Sequence, residues 1–146
     1  MNFTNGSTLL KSCHRHQCTI SEAMFRRETI DLENTPEETE VRMHHAWEIM
    51  KDAVRTALEK ELTSVGGLIG GEARKLNARR LAGKSISGPL TAKAIAYAMG
   101  VLEVNASMGL IVAAPTAGSS GVLPGVLLAI QEEHEFSDAE MEKALF

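Results

Sequence analysis

Eleven of the chain's twelve glycines fall between Gly66 and Gly125, and from Ser85 to Gln131 only Lys93 and Glu103 carry charge. This pairing of small residues with missing charge restricts the fold more than any other feature. Glycine weakens a helix or strand interior by about 0.5–1 kcal/mol relative to alanine, so a stretch rich in it must either pack very closely or turn sharply. The absence of charge marks the stretch as buried. A membrane span is the competing explanation. However, glycine and proline interrupt Val104–Ile130, and the polar Asn105, Thr116, Ser119 and Ser120 lie within it. The run therefore reads as buried protein, with no membrane partner.

The remaining composition narrows the class. With 146 residues, 44% of them apolar, the chain can bury a core. Its net charge of −4 and 4% aromatic content argue against nucleic acid, which selects basic faces and stacking platforms. Residues 1–10 lack the continuous apolar core of a signal peptide. Two cysteines without a secretion signal fit a reducing cytoplasm better than a disulfide framework.

Helix grammar dominates the first half. Thr19-Ile20-Ser21-Glu22 and Thr35-Pro36-Glu37-Glu38 are capping boxes. The first predicts a helix to about Thr29. The second opens an amphipathic helix with Met43, Trp47, Met50, Val54, Leu58 and Leu62 on one stripe, ending near Ser64. Glu72–Leu81 reads as a short basic helix closed by Gly83, and Ser87-Gly88-Pro89 opens another through about Val101. Val104–Ala114 is ambiguous between helix and strand. Gly121–Glu133 reads as a helix with Pro124 in its first turn. Ser137-Asp138-Ala139-Glu140 is a third box, and its helix is expected to be cut short at Phe146, as in a truncated chain. The fold class is all-α with glycine-rich loops. Residues 1–18 form an N-terminal segment, and 19–146 form part of a helical domain.

Two polar islands hold the candidate chemistry. Asn105-Ala106-Ser107-Met108-Gly109 and Thr116-Ala117-Gly118-Ser119-Ser120-Gly121 combine hydroxyls, an amide and glycines before a helix start. Such a turn can offer amide and hydroxyl donors to a carboxylate or phosphate, or it can simply cap buried helices. Gly83-Lys84-Ser85-Ile86-Ser87-Gly88-Pro89 is a further polar stretch, and Ala78–Ser85, which overlaps it, matches a loosened phosphate-loop pattern with Ala78 where the first glycine is expected. It lacks the preceding strand that such a loop requires, so it reads as a helix end followed by a helix start. Cys13-His14-Arg15-His16-Gln17-Cys18 offers zinc-type ligands, but within a span too short to wrap a tetrahedron easily. No metal site is therefore assigned. No Ser/His/Asp set or HExxH pattern occurs.

The strings ISEAMFRRE, SVGGLIGGEARKLNA, GKSISGP and LEVNASMGLIVAAPTAGSSGVLPGVL resemble, in that order, the alpha chain of bacterial iron–sulfur L-serine dehydratases, over residues 19–146. The resemblance implies a helical catalytic domain and a lyase of amino-acid catabolism and gluconeogenesis. Such an enzyme converts L-serine to pyruvate and ammonia without pyridoxal phosphate. The [4Fe–4S] cluster would be held by cysteines beyond this segment, with one iron acting as a Lewis acid on the substrate. Cluster ligation does not carry over to Cys13 or Cys18, which lie outside the shared motifs. Substrate binding is expected at Asn105, Thr116, Gly118, Ser119, Ser120 and Gly121, with Lys84 and Ser87 as weaker candidates. The catalytic base is not identified. The expected partners are the remainder of the alpha chain, a beta (regulatory) domain or chain, and a second copy through the last helix. On its own the segment is expected to be inactive. A non-catalytic helical module that binds an anion or serves assembly is the other class that fits.

Overall fold

The structure, a computed structural model, describes residues 3–30 and 33–146. Among these the regular elements are helices only: α1 (Gly6–His16), α2 (Ile20–Ile30), α3 (Pro36–Glu59), α4 (Glu72–Leu81), α5 (Pro89–Ala106), a 3-10 turn (Ala117–Ser119), α6 (Val122–His134) and α7 (Asp138–Leu145). The expected all-α class is observed.

The caps explain most of the boundaries. Thr19 N–H donates to Glu22 Oε2 at 2.8 Å, and Glu22 N–H donates to Thr19 Oγ1 at 3.1 Å. The second box repeats this at Thr35 and Glu38, at 3.0 and 3.1 Å. Thr35 holds the Glu38 carboxyl below its ordinary pKa, through its N–H and then its hydroxyl. At the end of α4, Gly83 takes the left-handed φ of 68°. The Gly83 and Lys84 amides bond back to Arg80 and Arg79, which is the two-bond terminator that favours glycine.

Three boundaries depart from the sequence expectations. α3 stops at Glu59 rather than near Ser64. Ser64 Oγ accepts from the Leu68 and Ile69 amides at 3.2 and 3.0 Å, and its own N–H reaches Ile69 O at 2.7 Å. These bonds form a turn and leave no i→i−4 ladder. α5 runs five residues past Val101, to Ala106, so the ambiguous Val104–Ala114 run begins as helix and continues without regular structure. α1 was not anticipated. Asn5 and Thr8 cap it reciprocally, with threonine where a capping box normally shows Glu or Gln.

The chain forms two compact units, one within Met1–His45 plus Asp138–Phe146 and one of Ala46–Ser137. In the first, Ala23, Thr39 and Met141 are buried. The Phe25 and Phe146 rings meet edge to face at 5.3 Å, and His44 Nδ1 lies 2.7 Å from Glu142 Oε1. In the second, α5 is the centre. Its Ala96, Tyr97, Val101 and Val104 pack with Ala53, Val54 and Ala57 of α3 and Ala129 of α6.

The concentrated glycines account for this packing. A Cβ on Gly100 would sit 2.9 Å from the Ala57 Cβ and 3.6 Å from the Ala73 Cβ, so α3 and α4 both close onto α5 there. Gly121 and Gly125 bring α6 against the α5 backbone at Ala98. The two isolated charges of the stretch are both paired. Lys93 Nζ is 3.3 Å from Glu132 Oε2, and Tyr97 donates to the same oxygen at 2.8 Å. Glu103 is treated below.

Candidate functional site

The end of α5 and the turn before α6 come together. Asn105 Nδ2 donates to Ala117 O at 3.3 Å, tying the first polar island to the second. Thr116 starts the 3-10 turn with extended backbone. Its Oγ1 lies 3.0 Å from Ser119 Oγ, and Ser119 Oγ also donates to Thr116 O at 3.3 Å. Thr116 and Gly118 are exposed, while Asn105 and Ser119 are half-buried. These four residues form a small surface of hydroxyl, carboxamide and amide groups.

Ser120 and Gly121 serve this surface from beneath. Ser120 is fully buried and donates to Ala117 O at 2.7 Å. A Cβ on Gly121 would fall 2.2 Å from Ala98 O, so its glycine identity follows from helix contact. Lys84 and Ser87 lie elsewhere. With Arg79 and Ser85 they line a hollow of about 230 Å³ before α5, where Ser85 Oγ and Ser87 Oγ are 3.1 Å apart. Asn105 is at the far end of the same helix, roughly 24 Å along its axis at 1.5 Å per residue. The structure therefore gathers Asn105, Thr116, Gly118 and Ser119 but not Lys84 or Ser87. A hollow of about 800 Å³ in the first unit, lined by Phe25, Arg26, Glu142 and Phe146 among others, contains none of the expected site residues.

Two residues near the site were not singled out from sequence. Glu103 is 1% exposed and accepts from the Gly71 and Ala73 amides at 3.1 and 2.7 Å. It thus satisfies the start of α4 with a carboxylate, the sign favoured by the helix dipole. The signal was present, because an acid in an uncharged buried run must have partners. Glu72 joins it by accepting from Gly70 N–H at 2.7 Å, the leading cause of its lowered pKa. This network fixes the glycine turn that precedes α4. That turn meets the end of α5 through Val65 N–H to Ala106 O at 3.2 Å. Ser107, which follows α5, has a buried hydroxyl with no hydrogen-bond partner among the described residues.

Neutral donors around a tight turn can bind a carboxylate and orient it. Asn105, Thr116 and Ser119 include no group that is basic near neutral pH. The fold and this surface define an all-helical protein with a neutral, hydroxyl- and carboxamide-lined turn between two packed helices. The chain belongs to the serine dehydratase alpha chain family, whose family model matches residues 15–146. It is 42% identical over 144 residues to a probable L-serine dehydratase alpha chain of Bacillus subtilis (strain 168), covering 99% of this chain and 48% of that protein. It is 34% identical over 128 residues to the L-serine dehydratase alpha chain of Peptoniphilus asaccharolyticus, covering 88% and 44%. To the L-serine dehydratase of Helicobacter pylori (strain ATCC 700392 / 26695) it is 32% identical, covering 87% and 28%. The chain thus spans half or less of the length of these relatives.

The residues present do not fit a four-iron cluster, which takes more thiolates than two. The chain has only Cys13 and Cys18. Among the described residues, no three His, Cys, Asp or Glu side chains are grouped to hold a metal. Nor, among them, is any helix long and apolar enough to cross a membrane.

Proposed function

We propose that this segment forms the substrate-orienting part of a cytoplasmic L-serine ammonia-lyase. In this reading residues 19–146 are the N-terminal part of the catalytic domain. The iron–sulfur cluster belongs to residues outside these 146. The observation that carries the reading is the Asn105–Ala117 hydrogen bond, which joins two motifs of a serine dehydratase family member into one hydroxyl-lined surface. Asn105, Thr116 and Ser119 hold the serine carboxylate through neutral donors, and Gly118 leaves room for the ligand. Ser120 and Gly121 keep the turn against α5. Serine then loses its α-proton and β-hydroxyl as water. The resulting aminoacrylate tautomerises and takes up water to release pyruvate and ammonia. The base comes from outside the Asn105–Ser119 surface.

The partners in this reading are the remainder of the alpha chain, a beta domain or chain, and a second copy. Met141 is buried and Phe146 packs on Phe25 within its own unit. Exposed apolar side chains that a partner could cover include Ile30 and Val41 in that unit and Leu68, Ile86, Met108 and Leu110 in the second.

The test is pyruvate formation from L-serine, measured anaerobically. The alpha chain at the length of its relatives, supplied with its beta partner, should turn over serine. Residues 1–146 alone should be colourless and inactive after incubation with iron and sulfide. Turnover by the 146 residues alone, or none by the longer protein, would reject the assignment.

A further inference from the structure

The chain's two cysteines share one structural motif. α1 ends on Gln17 in the left-handed conformation (φ 50°, ψ 47°). The Gln17 amide bonds to His14 O at 3.4 Å, and the Cys18 amide bonds to Cys13 O at 3.1 Å. In this two-bond terminator, the side chains four positions before the left-handed residue and one position after it meet, usually as an apolar contact. Here both are cysteine. The backbone bond between them holds their α carbons roughly 5–7 Å apart, and disulfides span about 4.4–6.8 Å. Both thiols are free. Cys13 is buried, with Sγ 3.7 Å from Thr19 O, while Cys18 is half-exposed. Burial raises the Cys13 pKa, and the charge and hydrogen bonding of the adjacent Cys18 thiol raise it further.

We propose that Cys13 and Cys18 are a redox-active thiol pair that closes to an intramolecular disulfide with a low-molecular-weight disulfide as oxidant. Access sets the order of events. The Cys18 thiolate attacks one sulfur of the small disulfide, forms a mixed disulfide and releases one small thiol. Cys13 loses its proton to solvent, its sulfur attacks Cys18 Sγ, and the second small thiol leaves. Two protein thiols are oxidised and one small disulfide is reduced. The new bond staples the last turn of α1 to Cys18, the residue before the Thr19 cap of α2. Reducing compartments reserve disulfides largely for such transient uses.

The test is to equilibrate the purified protein with reduced and oxidised glutathione at several ratios. Remaining thiols are then alkylated in denaturant and the peptides mapped by mass. The expected result is loss of both free thiols together and a Cys13–Cys18 linked peptide lighter by two hydrogens. Cys13→Ser should instead retain a glutathione adduct on Cys18, and Cys18→Ser should resist oxidation. The wild-type map decides the matter even if a variant folds poorly. Stable glutathione adducts on wild-type Cys18 without ring closure would overturn the proposal. So would two reduced thiols in a buffer that oxidises a reference dithiol peptide.

Discussion

Replacing Gly125 by alanine tests whether the glycine-rich half is built on backbone contact between α5 and α6. The added Cβ would lie 2.6 Å from Ala98 N, 2.8 Å from Ala94 O and 2.8 Å from Ala98 Cα. All three are main-chain atoms of α5, so no side chain can swing aside. The helices must separate until these contacts approach the ordinary range of about 3.5–4.0 Å. That opens space around Ala129, which is 0% exposed. Alanine contributes about 1 kcal/mol of helix propensity over glycine. Overpacking costs about 1–3 kcal/mol and occasionally more, and a backbone clash belongs at the upper end. The net expectation is a loss of about 2 kcal/mol. In a unit of roughly this size each kcal/mol moves Tm by about 4–8 °C, so Tm should fall by about 8–16 °C. Thermal unfolding followed by far-UV circular dichroism measures it. Gly66→Ala is the control, since a Cβ there meets nothing within 4 Å, and its change should stay within about 0.5 kcal/mol. A Gly125→Ala protein that melts at or above the wild-type temperature would refute the close-contact reasoning.

Glu103→Ala leaves the Gly71 and Ala73 amides without their carboxylate and should cost at least about 2–3 kcal/mol in urea unfolding. Glu103→Gln should recover part of this, and an alanine variant as stable as wild type would show that Glu103 does not hold the start of α4. Glu38 and Glu72 have pKa values below the ordinary 4.5 in the fold. Their stabilisation is present above that pH and should fade as the pH falls through the lowered values. Tyr97 is raised from 10.0 by burial and then by Glu132, so its contribution should hold below pH 10 and decline as the pH rises beyond it. A stability profile flat from pH 3 to 11, as measured by denaturant midpoints, would contradict both assignments. The 146-residue chain should self-associate at micromolar concentration, because Leu68 and Met108, whose segments meet at the Val65–Ala106 hydrogen bond, are 90% and 82% exposed, and exposed apolar surface favours a partner. Light scattering behind size exclusion checks it, with Leu68→Lys and Met108→Lys together expected to weaken the assembly. A 15.8 kDa monomer would count against it.

Local signals carried the helix starts well. The boxes at Thr19 and Thr35, and Gly83 after α4, act through bonds within a few residues, so their outcome is written nearby in sequence. The end of α3 was hidden because Leu62 continues the apolar stripe, while the stop is made by Ser64 reaching forward to Leu68 and Ile69. α1 was hidden because its box uses Thr8 in place of an acid or amide. At the site, the motifs pointed to Asn105, Thr116 and Ser119, and the structure brings them together. They could not separate Ser120 and Gly121, whose surroundings depend on α5 passing beneath them. Nor could they show that Lys84 and Ser87 stand at the opposite end of that helix. Glu103 illustrates the same limit, because its partners, Gly71 and Ala73, lie about thirty residues away.

In the proposed function the Asn105–Ser119 surface holds the substrate. The most direct measurement is the steady-state kinetics of Ser119→Ala in the alpha chain at the length of its relatives, with L-serine as substrate and Tm recorded in parallel. kcat/KM should fall about ten- to a hundred-fold, the worth of one hydrogen bond to a charged group, while Tm changes little. Wild-type kinetics in a variant that melts much lower would contradict it and make Ser119 a residue of the turn alone.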